Sequence, residues 1–147
     1  MCPALPRRYS RGVRTPREIL AESAVIAVVG ASRDPDKAAH TVPLQMQRHG
    51  WRVIPVNPHA DEIFGERCYR SLEEIPHPVD LVNVFRPAPE AVEVVRAAAA
   101  IKAPAVWLQL GIVSPEARRV AEEAGMDYVE DHCIAVERAL GQLTRLG

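Results

Sequence analysis

Gly30-Ala31-Ser32, followed by Arg33, Asp34 and Lys37, holds more chemistry than any other stretch of this 147-residue chain. It closes an apolar run, Val25 to Val29, and leads into a segment patterned as a helix. A strand that stops at a glycine and feeds a helix N-terminus turns backbone N–H groups toward a ligand, and the helix dipole favours negative charge there. The implied chemistry is recognition of a phosphate.

Other candidates are sparser. Arg86 ends the run Val79 to Phe85, where a guanidinium can take a phosphate bidentately or cap the sheet edge in solvent. Lys37 is open to the same two readings, phosphate partner or solvated first-turn lysine. His132-Cys133 is the one adjacent pair with nucleophilic potential, although a free cysteine is commonly a small buried residue. The five histidines, at 40, 49, 59, 77 and 132, form no metal-ligand spacing. Ser32 and Ser114 have no base at a readable distance, so no catalytic set emerges.

The phosphate loop is not that of an ordinary dinucleotide site. The fingerprint needs glycines at 30, 32 and 35, and the chain has Gly30, Ser32 and Pro35. An acid should also end the second strand to take the ribose hydroxyls, but Asn57-Pro58 stands there and Asp61 and Glu62 lie beyond it. NAD is disfavoured, and no Gly-Lys-Ser/Thr marks a nucleoside-triphosphate loop. Ser32, Arg33, Lys37 and Arg86 suit an anionic nucleotide with further phosphates.

The elements that must position these residues alternate. Thr15-Pro16-Arg17-Glu18 has the cap, first-turn proline and capping-box acid of a helix start. Strands are predicted at Val25–Val29, Trp51–Val56, Val79–Phe85, Ala105–Leu110 and Met126–Val129. Helices are predicted from Ala38 to His49, from Pro89 to Ala100, from Ser114 to Ala124 and from Ile134 to Leu146. Residues 59–78 read as irregular. The expected fold is α/β: a single Rossmann-like, doubly wound domain with a five-stranded parallel sheet in the order 3-2-1-4-5. Every carboxyl strand end then opens on one edge.

Composition is that of an ordinary globular chain, with 25% charged and 48% apolar residues. A net charge of −1 argues against a nucleic-acid partner. No apolar run is long enough to span a membrane. Three well-separated cysteines fit reduced thiols and a cytoplasmic setting. Residues 1–14, with four arginines and no acid, read as a flexible basic arm, and 15–147 as the domain. A homodimer or another protein partner stays open.

Taken together, VVGAS, PVNP, IFGERCYRSLEEIP, VDLVNVFRP, VWLQLGI and EDHC resemble the small bacterial and archaeal CoA-binding proteins. Their domain is similar to the N-terminal CoA-binding domain of the succinyl-CoA synthetase α subunit. The resemblance runs from Ile26 to Leu140 and implies a Rossmann-like fold with coenzyme A, or an acyl-CoA, across the strand ends. It implies that Gly30, Ala31 and Ser32 meet the CoA phosphates. Val56, Asn57 and Pro58 would lie beside the adenine and ribose, and Phe85, Arg86 and Pro87 at the third strand end. Gln109, Gly111 and Ile112 would lie nearer the pantetheine arm.

One departure stands out. The synthetase has a lysine two residues past the proline of its second-strand motif, where this chain has Ala60. Arg33, Lys37, His59 and Arg86 are the candidates to replace it. The synthetases also require a phosphorylated histidine and an ATP-binding subunit, and neither is expected within this sequence. The expected function is therefore CoA binding without catalysis. The alternatives are acyl transfer or thiol exchange through Cys133, and an NAD(P)- or nucleotide-sensing module.

Overall fold

In the computed structural model, which describes residues 13–146, the β-branched run Val25–Val29 forms strand β1 inside a five-stranded sheet. Its neighbours are β2 (Arg52–Val56) and β5 (Leu81–Val84), followed outward by β6 (Ala105–Leu108) and β7 (Asp127–Val129). Every pairing in this sheet is parallel. The helices are α1 (Pro16–Glu22), α2 (Ala38–Arg48), α3 (Ala88–Ala100), α4 (Pro115–Glu123) and α5 (Ile134–Gly141).

Alternation along the strands divides the core between the two faces of the sheet. Ile26, Val28, Leu81, Ala105 and Trp107 pack with Ile19, Met46 and Ile134, from α1, α2 and α5. Ala27, Val82, Val84, Val106 and Leu108 pack with Val95, Ala117 and Ala121, from α3 and α4. A sheet covered on both faces explains why its strands read as nearly continuous apolar runs. The doubly wound α/β architecture is as expected.

The order 3-2-1-4-5 is met once the bridge outside β2 is counted as a strand, and each later strand then moves on by one place. The place outside β2 belongs to a single residue, Tyr69, in a parallel bridge to Val56. The segment predicted as third strand is instead the fourth: as β5 it pairs directly with β1, Val82 opposite Ala27. β6 then follows as fifth, and β7 lies beyond it. The reason lies in the connection after β2. It makes a two-stranded hairpin, β3 (Glu62–Ile63) and β4 (Glu66–Arg67), touches β2 at Tyr69, forms a 3-10 turn at Leu72–Glu74, and returns on the far side of β1. Asp80 seals that return, its Oδ2 accepting from the N–H groups of Ala24 and Val25 at 2.9 Å each. The winding direction thus reverses between β1 and β5, the crevice where open α/β sheets bind ligands.

The terminal elements differ slightly from expectation. Helix α5 ends at Gly141, with Gln142 left-handed at φ +54° and Arg138 Nη1 donating to the Leu143 carbonyl. The arm expected over residues 1–14 falls mostly outside the described residues. Arg14 is tied down, its Nε donating to Asp127 Oδ2 at 2.6 Å and its Nη1 to Glu22 Oε1.

Candidate functional site

The first strand end is built around Gly30. Its φ of +94° is disfavoured for side chains, and an added Cβ would lie 3.1 Å from Arg86 Cδ and 3.2 Å from the Phe85 carbonyl carbon. Glycine therefore lets the β1 and β5 ends close together. Beyond it the loop is held mainly by its own atoms. Ser32 Oγ accepts from the Asp34 N–H, Asp34 Oδ1 accepts from the Asp36 N–H, and His40 Nδ1 meets the Ser32 carbonyl at 2.7 Å.

The Ser32 N–H is not free for a ligand; it donates to the Ala39 carbonyl at 3.1 Å. That carbonyl lies four residues before Pro43, which has no N–H to give it, so the loop supplies the missing donor. The open donors lie one turn later. Lys37 caps α2 without a side-chain bond, and the N–H groups of Ala38 and Ala39 have no partner among the described residues. Two free N–H groups at the start of an 11-residue helix are an anion-binding arrangement.

At the end of β2, Asn57 is a staple. Its Nδ2 donates to the Ala31 carbonyl at 2.8 Å, while Oδ1 accepts from the N–H groups of His59 and Ala60. The side chain fastens the first strand loop to the turn after the second. Arg70, outside the sequence-based candidates, arrives beside it through the Tyr69 bridge. Its Nη1 donates to the Ala60 carbonyl at 2.5 Å and the Asn57 carbonyl at 3.4 Å, and its Nη2 to Asp61 Oδ1 at 2.9 Å. A guanidinium thus stands against Ala60, the position where the synthetases have lysine. Only the parallel bridge puts it there, and the irregular stretch 59–78 carries no periodicity that would announce it.

At the end of β5, Phe85 and Arg86 face the same crevice. Arg86 is engaged: both Nε, at 2.9 Å, and Nη2 donate to Glu90 Oε1. Glu90 and Glu93 of α3 add two carboxylates to a lining that also holds Lys37 and Arg70. The side chains of these two residues are 51% and 78% exposed.

Together these ends line an open cleft of about 690 Å³. Nine sequence candidates line it: Gly30, Ala31, Ser32, Lys37, Val56, Asn57, Pro58, Phe85 and Arg86. Ala39, Arg70, Pro89, Glu90, Glu93 and Val94 line it too, without having been predicted from sequence. Arg33 and Pro87 are adjacent in sequence but outside the lining, Pro87 as the N-cap of α3.

The end of β6 turns inward instead. Gln109 is buried, its Oε1 accepting from Asn83 Nδ2 at 3.3 Å and from the Ile134 N–H at 3.2 Å. It joins β5, β6 and the start of α5. The Gly111 N–H donates to Asp131 Oδ1, and Ile112 packs against the core on the α3 and α4 side. None of the three lines the cleft. Cys133 caps α5, half-buried against the core, and is also outside the lining. Cys68 is buried, and burial pushes its thiol pKa up. Among the described residues no group of three or more histidine, cysteine or acidic side chains could hold a metal ion, and no helix is long and apolar enough to cross a membrane.

Fold and cleft define a Rossmann-like domain with an open crevice at its switch point. Residues 24–139 match the CoA binding domain family. The chain belongs to that family. It is 42% identical over 124 residues to the uncharacterized protein YneT of Bacillus subtilis, covering 84% of this chain and 92% of YneT. It is 41% identical over 63 residues to the α subunit of an ADP-forming acetate–CoA ligase of Pyrococcus furiosus, covering 42% of this chain and 14% of the subunit. A structure from Thermus thermophilus, cell-free ID.343, superposes with a TM-score of 0.82 at 38% identity, covering 86% of this chain and 98% of that one. The chain thus spans nearly all of its small relative and a small part of the ligase.

Proposed function

We propose that this protein binds coenzyme A or an acyl-CoA across the carboxyl ends of β1, β2 and β5, and holds it without reacting with it. One observation carries the reading: Gly30, Asn57 and Arg86, each at a different strand end, line a single cleft together with Lys37 and Ala39 at the start of α2, where the N–H groups of Ala38 and Ala39 have no partner among the described residues. The pyrophosphate of the ligand sits at the Gly30 loop and the start of α2, with Lys37 as its cation. Its adenosine end lies toward Asn57 and Arg70, and its pantetheine passes Phe85 and Val94.

The charged residues of the lining set the orientation. Lys37 and Arg70 attract phosphate, whereas Glu90 and Glu93 repel it. The position of Cys133 outside the lining favours binding over acyl transfer. Family membership supports the ligand class. An NMR titration tests the reading residue by residue. Coenzyme A is expected to shift the amides of Gly30, Ala31, Ala38, Ala39, Asn57 and Arg86 together. Shifts confined to the β6 and β7 ends would contradict it.

A further inference from the structure

We propose that Arg70 reads a phosphate on the ribose of the bound nucleotide, so that the cleft selects coenzyme A over its dephospho form. The inference rests on the CoA reading above and assigns a specificity residue within it.

Three observations carry it. The first is place. The Asn57 N–H donates to the Tyr69 carbonyl at 2.9 Å, and the Tyr69 N–H to the Pro55 carbonyl at 3.1 Å, so Arg70 emerges at the carboxyl end of β2. In dinucleotide folds that place receives the adenosine ribose; an acid there takes free hydroxyls, and an arginine accommodates a ribose phosphate. Here Asn57, the residue next after β2, has its amide committed to Ala31, His59 and Ala60. Arg70 is the charged side chain at this end that lines the cleft.

The second is preorganisation. Two backbone carbonyls and Asp61 orient the guanidinium, which leaves Nε–H and one Nη2 hydrogen unpartnered among the described residues. That is a donor pair suited to phosphate oxygens. Asp61 is 92% exposed, so water can replace it readily when a dianion arrives. The third is the state of the other cations. Arg86 is paired with Glu90, and Lys37 belongs to a different element, the start of α2. A ribose phosphate at the β2 end is left to Arg70.

Titration calorimetry tests this with coenzyme A, dephospho-coenzyme A and NADP+, on the wild-type chain, Arg70→Ala and Arg70→Lys. The wild type is expected to prefer coenzyme A over its dephospho form by about tenfold or more. Arg70→Ala should collapse the preference, bringing coenzyme A down to the affinity of the dephospho form, and Arg70→Lys should fall between. Equal wild-type affinity for the two forms, or a preference kept in Arg70→Ala, overturns the role of Arg70 while leaving CoA binding intact. NADP+ binding tighter than coenzyme A would overturn the selection of coenzyme A. A wild type that binds neither CoA form removes the CoA reading itself, and this inference with it.

Discussion

The Ser32 N–H donates to the Ala39 carbonyl, the acceptor that Pro43 leaves without a helical donor. A proline inside a helix ordinarily forfeits one bond at a cost of about 3 kcal/mol. In this protein the vacant carbonyl becomes the anchor of the loop at residues 30–32, so the defect in α2 and the shape of the cleft have one origin. Pro43→Ala restores a competing N–H from within the helix. Amide exchange at Ser32 is expected to be slow in the wild type and faster in Pro43→Ala; equal exchange would detach the loop from the helix.

Gly30 carries the close approach of two strand ends. Gly30→Ala places a Cβ near 3.1 Å from Arg86 Cδ and near 3.2 Å from backbone at Phe85, at a φ of +94°. The expected loss of stability is about 1–2 kcal/mol or more from conformation alone. Thermal unfolding followed by circular dichroism reads it, together with a fall in CoA affinity.

Glu90 holds the Arg86 guanidinium that the CoA reading assigns to the ligand. Both are substantially exposed, at 42% and 51% of the side chain, so their pair adds little to stability. Glu90→Gln should leave the unfolding free energy within about 0.5 kcal/mol and tighten CoA binding by releasing the guanidinium. Affinity unchanged by this substitution would mean that Arg86 only caps the sheet edge.

Gln109 separates structure from binding. Replacing it with leucine strips the acceptor from Asn83 and from the Ile134 N–H, both buried, at about 1–3 kcal/mol. CoA affinity of Gln109→Leu, measured where the variant is folded, is expected to match the wild type. A selective loss of affinity would return Gln109 to the site.

The buried, pKa-raised Cys68 thiol should resist alkylation at pH 8, whereas the partly exposed Cys133 should react. Peptide mapping after iodoacetamide treatment distinguishes the two.

What was legible in the sequence follows from these particulars. A β-branched run that ends in glycine names its own strand end, so Gly30-Ala31-Ser32 and Phe85-Arg86 stand out by residue type and order alone. The neighbour of β1 does not, because a crossover through an aperiodic connection leaves no local pattern. The same connection hides Arg70, which reaches the site only through the one-residue bridge at Tyr69. Gln109 misleads for the opposite reason: its place at a strand end is evident, but the face its side chain takes depends on buried partners in β5 and α5.

The central claim is that the crevice between β1 and β5 receives coenzyme A. Calorimetric titration of the wild-type chain with coenzyme A and, separately, with NAD+ tests it most directly. Saturable binding of coenzyme A, tighter than that of NAD+, is the expected result; no heat from coenzyme A at millimolar concentration, or tighter binding of NAD+, would contradict it.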